Sequence, residues 1–139
     1  MRRGVLILVV AAACASGTPH RQALRVDVSE QRGQRITTTG PHIYVVQINN
    51  GSAETIEVES ISLAPSGPSD YLFEDAFQTV GDVMSPGETR QYQMFVTVVA
   101  QGRGSAQFTS NIDAVSVTIA CKSESGNFVD SEVVSITRR

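Results

Sequence analysis

The stretch "TRQYQMFVTVVA" (Thr89–Ala100) decides the fold class. Tyr92, Met94, Val96 and Val98 recur at every second residue, and a mostly polar set fills the positions between. A period of two belongs to a strand with one buried face, because successive side chains point to opposite sides of the pleat. The turn chemistry on either side agrees. In "SPGE" (Ser85–Glu88), Pro86 fixes φ and Gly87 accepts a positive one. "QGRG" (Gln101–Gly104) turns the chain again.

The same pattern extends in both directions. Downstream, "SAQFTS" (Ser105–Ser110) reads as a short strand. "IDAVSVTIAC" (Ile112–Cys121) puts Val115, Val117, Ile119 and Cys121 on one face, with Ala114, Ser116, Thr118 and Ala120 on the other. "SESGN" (Ser123–Asn127) is a turn, and Phe128–Thr137 is the last strand. Upstream, "ALRVDV" (Ala23–Val28) alternates Leu24, Val26 and Val28 with Arg25 and Asp27. "HIYVVQI" (His42–Ile48) is rich in β-formers. "NNGS" (Asn49–Ser52) follows, and its Asn-Gly step predicts a tight hairpin. In "TIEVESISLA" (Thr55–Ala64), Ile56 and Val58 are in one phase and Ile61 and Leu63 in the other. That switch predicts a β-bulge near Glu59–Ser60 or a strand that changes sheets. "PSGPS" (Pro65–Ser69) breaks the pattern, and residues 70–84 are the least regular.

No segment shows a 3.6-residue period. Short strands at close spacing predict an all-β fold, a single antiparallel β-sandwich of about seven strands, with a small jelly roll or barrel as the alternative. Expected interior residues are Tyr44, Val46, Ile48, Ile56, Val58, Tyr92, Met94, Val96, Val98, Val115, Val117 and Ile119. The run "YVVQINNGSAETIEVESISL", followed by "PGET" and a long strand, resembles immunoglobulin-like and fibronectin type III-like domains of bacterial envelope proteins. The resemblance covers roughly residues 24–137 and implies an immunoglobulin-like sandwich over 23–139. It departs from antibody domains in lacking a core Trp and a Cys pair.

The N-terminus reads as an address. Arg2 and Arg3 precede a nine-residue apolar run, Val5–Ala13. A spanning helix needs about 20 such residues, so the run fits a secretory signal instead. "AAAC" (Ala11–Cys14) resembles the lipobox of bacterial lipoproteins, with Ala11 where that family usually has Leu. The resemblance implies removal of residues 1–13, a lipid on Cys14 and a tether over 14–22. Ala15 stands where Asp would mark inner-membrane retention, so in a Gram-negative cell the expected location is the outer membrane, facing the periplasm. Ala13-Cys14-Ala15 is also an A-x-A site, and cleavage there would give a soluble secreted protein.

Composition limits the function classes. Hydrophobic residues make up 41% and charged ones 18%, a globular profile. Loss of residues 1–13 removes Arg2 and Arg3 and no acidic residue, which moves the net charge from −3 to −5. Such a surface has no electrostatic footprint for nucleic acid. Two histidines, His20 and His42, are too few for a histidine-based metal or nucleophile site. Cys121 reads as an inert core thiol. Asp70, Glu74, Asp75 and Asp82 lack the alternating spacing of a calcium loop. We therefore expect no enzyme, no cofactor and no metal. The candidate interaction loop is "SDYLFEDAFQ" (Ser69–Gln78), carrying Asp70, Tyr71, Phe73 and Phe77. Aromatic anchors on loops dominate interfaces, but the preferred reading is that Tyr71 and Phe73 share one face of a short strand and pin it to the core. The expected partners are the membrane, through Cys14, and an envelope protein. The alternative is a ligand- or glycan-binding accessory domain of an envelope enzyme or transport system.

Overall fold

A computed structural model of the chain describes residues 24–31, 39–67, 69–100 and 112–138. The signal segment, Cys14, the tether and the expected 105–110 strand lie outside the described residues. The strands are β1 (Leu24–Glu30), β2 (Gly40–Asn50), β3 (Ile56–Pro65), β4 (Tyr71–Glu74), β5 (Phe77–Met84), β6 (Thr89–Ala100), β7 (Ala114–Ser123) and β8 (Gly126–Arg138). They form one hydrogen-bonded order, β4-β6-β2-β1-β8-β7-β3-β5. The protein is thus all-β, with eight described strands in a sheet that curls into a half-barrel. One pairing departs from the antiparallel expectation: β1 runs parallel to β8 over Val28–Glu30 and Ile136–Arg138.

The curl has a local cause. Between Val58 and Ser60, β7 contributes no extra residue, β3 contributes Glu59, and β5 contributes Val80 and Gly81. The bulge therefore widens from strand to strand, which bends the sheet and adds twist. Gly81 takes φ +77°, a value that costs a side chain roughly 1–2 kcal/mol. The same extra residue explains the phase switch in β3: Val58 and Ile61 both point inward, and both are fully buried.

Curling brings the two ends of the order together, with β4 against β3 and β5 against β6. Leu63 N–H donates to Ala76 O at 2.9 Å, which extends the β3–β5 ladder one step beyond Ser62 and Phe77. Phe73 packs on Tyr44, with ring centroids 5.3 Å apart. All twelve expected interior residues are buried, as is Cys121. Each large aliphatic side chain removed from water contributes about 1.5–3 kcal/mol, so this inner surface is the main source of stability.

The "NNGS" reading is corrected. β2 pairs with β1 and β6, never with β3, so no hairpin forms there. The segment carries the chain from one half of the sheet to the other. Asn50 is fully buried at that crossing. Its Nδ2 donates to Glu54 O (2.8 Å) and Met84 O (3.2 Å), and its Oδ1 accepts from Ser52 N–H (3.1 Å) and Ser52 Oγ (2.7 Å). The second crossing, the "SPGE" turn, closes with Glu88 N–H on Ser85 O at 3.1 Å and Gly87 at φ +78°. Backbone bonds lace the two crossings together: Gly87 N–H to Asn50 O (2.7 Å) and Asn50 N–H to Glu88 O (2.9 Å).

Residues 70–84 are also more regular than expected. They form β4 and β5, joined through Asp75 at φ 54°. Aspartate tolerates this left-handed conformation better than most residues.

Candidate functional site

The four residues of the candidate loop separate in the structure. Tyr71 is buried at 3% exposure and Phe73 is half-buried against the core, so both pin β4 in place. Asp70 is half-buried at the start of β4. Phe77 alone projects, at 62% exposure, from the first position of β5. The loop therefore does not act as a unit, and Phe77 belongs to a different surface.

That surface follows from register. On the outer face of β5-β3-β7-β8, Phe77 lies beside Ser62, Thr118 and Ser131 in turn. The next rung is Thr79, Ser60, Ala120 and Val129, and a partial rung holds Ala64, Ser116 and Val133. The centre is a low carpet of Ser, Thr and Ala with no charge. Val129 and Val133 stand on the β8 side at 65% and 64% exposure. Thr118 and Ser131 bind each other at 2.9 Å. Charge appears at the far end of the face, where exposed Glu59 stands at the bulge and the next rung holds Val83, Glu57, Lys122 and Asn127. A patch of small, uncharged side chains with projecting apolar residues on two sides is suited to packing against another protein.

The inner surface holds polar residues that the sequence reading overlooked. Glu30 and His42 are 3% and 6% exposed, with His42 Nδ1 3.3 Å from Glu30 Oε1. Their signal was present: Glu30 continues the inward phase of Leu24, Val26 and Val28. Asp130 is 5% exposed, in phase with Glu132 on β8. Burial raises the carboxyl of Glu132 above its ordinary value, and Asp130 and Asp27 push it the same way.

Cys121 lies opposite Val58 and Phe128, in the other half of the strand order from His42. Burial, with Asp130 and Glu59 nearby, pushes its thiol up to about 12 and keeps it protonated. Among the described residues, no three His, Cys, Asp or Glu side chains gather closely enough to hold a metal ion. The Asn50-Gly51-Ser52 sequon offers no accessible amide, since Asn50 Nδ2 is buried and donates twice. Arg90 bridges Asp82 (3.2 Å) and Glu88 (2.7 Å), which ties β6 to β5 and to the turn between them.

No family model matches the chain, and no curated protein matches it. Solved structures do. One structural-genomics target is 14% identical, with a TM-score of 0.49, covering 84% of this chain and 89% of its own. The ApaA protein of Bordetella pertussis is 15% identical (TM-score 0.42; 84% and 94% covered). A FixG-related protein of Vibrio parahaemolyticus is 12% identical (TM-score 0.37; 83% and 97% covered). Among the described residues, no helix is long and apolar enough to cross a membrane.

Proposed function

We propose that this chain is a lipid-anchored envelope lipoprotein whose single domain, immunoglobulin-like in layout, binds another envelope protein and performs no catalysis. Two features support the immunoglobulin-like layout: the strand groups β4-β6-β2-β1 and β5-β3-β7-β8, and two crossings between them at one end. The lipobox resemblance at Ala11–Cys14 supports the anchor, and Ala15 supports an outer-membrane location facing the periplasm. Two or more acyl chains would hold the protein stably, at about 0.8 kcal/mol per buried CH₂.

The observation that carries protein binding is the Ser/Thr/Ala part of the β5-β3-β7-β8 face, with Phe77, Val129 and Val133 exposed around it and Glu57, Glu59 and Lys122 at its far end. The test has two parts. Mass spectrometry of the envelope-purified protein should find a diacylglycerol-modified Cys14 as the first residue. An unmodified chain beginning at Ser16 would instead make the protein secreted and soluble. A photo-crosslinker at Phe77 or Val129 should then capture one discrete partner in the intact envelope, while one at Gln93 should not. Equal capture from all three sites would refute the surface.

A further inference from the structure

A second site lies on the other half of the molecule. On the outer face of β6-β2-β1, Gln91, Gln47 and Asp27 stand side by side on one rung, and Gln93, Val45 and Ser29 on the next. Thr137 of β8 lies beside Ser29 through the parallel pairing. Asp27, Ser29, Val45, Gln47, Gln91 and Thr137 surround a hollow of about 140 Å³. Gln91 Nε2 donates to Gln47 Oε1 at 2.9 Å. That bond aligns the two amides and leaves Gln47 Nε2 as a donor and Gln91 Oε1 as an acceptor. On the third rung, Phe95 beside Ile43 is 69% exposed, the most exposed large apolar residue described.

We propose that this hollow and Phe95 form a binding site for a neutral oligosaccharide. Beside Val28 and Val45, the lining consists of amides, hydroxyls and one carboxylate. These are the groups that match ligand hydroxyls, each of which both donates and accepts. No cation lines the hollow, so a phosphate or other anion would find no countercharge there. The volume falls below the ~300 Å³ at which pockets for drug-sized ligands begin, so the hollow seats about one ring. Phe95 lies four residues along β6 from Gln91, ~13 Å at the rise of a strand. A ligand that reaches both is therefore a chain, with one unit in the hollow and the apolar C–H face of a later unit on the aromatic ring. The site shares neither Phe77 nor the Ser/Thr/Ala carpet, so it stands apart from the protein-binding surface.

The test uses the full-length protein in a zwitterionic, sugar-free detergent. Side-chain amide NMR signals are followed while hexamers of N-acetylglucosamine or of glucose are titrated. Saturable movement of the Gln47, Gln91 and Gln93 amides with one hexamer is the expected result. Gln47→Ala should weaken binding about tenfold, the effect of losing one good hydrogen bond. Phe95→Ala should weaken the hexamer but not the monosaccharide, and Phe77→Ser should change neither. No movement with either hexamer up to about 10 mM would overturn the proposal. So would binding that persists unchanged in Gln47→Ala and Phe95→Ala.

Discussion

Asn50→Ala tests the account of the chain crossings directly. The side chain is fully buried and makes four hydrogen bonds, two donated to Glu54 O and Met84 O and two accepted from Ser52. Each such bond contributes about 1 kcal/mol net, and a buried group left without its partner costs about 1–3. The Ser52 groups are only part-buried and can regain water, so the loss should be about 3 kcal/mol. For a domain of this size that lowers Tm by roughly 10 °C in a thermal melt followed by circular dichroism. The adjacent Asn49 is the control. Its amide also reaches the turn, donating to Thr89 Oγ1 (2.8 Å), Gly87 O (3.2 Å) and Glu88 O (3.4 Å), but in a largely exposed setting where water replaces it, so Asn49→Ala should cost only about 1 kcal/mol. Asn50→Asp should be worse than Asn50→Ala at pH 7, because an oxygen would replace the donor facing two carbonyls. Part of that loss should return toward pH 4, where the acid regains a proton to donate. Equal losses for Asn49→Ala and Asn50→Ala, or a loss below about 1 kcal/mol for the latter, would refute Asn50 as the centre of the crossing.

Four further outcomes are expected. Val117→Asp buries a charge where the residue is 1% exposed and should cost at least about 3 kcal/mol, whereas an unchanged Tm would mean that the inward face is misassigned. Cys121 should resist a disulfide reagent at pH 8 until the protein unfolds. Its thiol is raised from 9.0 to about 12, so stability should fall as pH climbs from 9, and Cys121→Ala should remove that part of the slope. Tyr92, raised from 10.0 to about 12 by burial and by Asp82, adds its own loss above pH 10. The Glu132 carboxyl is raised from 4.5, so the fold favours its neutral form and loses stability as pH rises through that range. Glu132→Gln should therefore raise Tm at pH 7 and leave it nearly unchanged at pH 4. A lower Tm at pH 7 would mean that the carboxylate is being held rather than repelled.

The sequence revealed faces well and partners poorly. Alternation tells which side of a strand is buried, and that local signal identified the core from Tyr44 to Ile119. The bulge at Glu59 was equally readable, because an extra residue must shift the phase. Pairing is not local. Asn50-Gly51 looked like a hairpin turn, yet Asn50 is spent on holding two crossings together, and Gly51 is absent from the positive-φ glycines. Which strand lies beside β2 depends on contacts with β1 and β6, far away in sequence. The same limit explains the candidate loop. Tyr71, Phe73 and Phe77 are close in sequence, but β4 and β5 occupy opposite ends of the strand order. The aromatics therefore divide, two to the core and one to the surface.

That division bears on function, because it shows which exposed groups the fold does not need. Phe77, Phe95, Val129 and Val133 are all more than 60% exposed, and each sits on an outward phase whose inward neighbours already fill the core. Single exposed apolar residues are ordinary, but here they border two surfaces of different chemistry. Around Phe77 the face is small, flat and uncharged, which suits close packing of another protein. Beside Phe95 it carries glutamines and a carboxylate around a hollow, which suits a ligand bound through many hydrogen bonds. If Cys14 carries the anchor, ten residue steps separate it from Leu24, at most ~36 Å of extended chain. An 11-residue strand such as β2 is about 36 Å long, so the tether would hold the domain close to the bilayer. At that distance, one outer face could engage a membrane-bound protein while the other met a glycan layer.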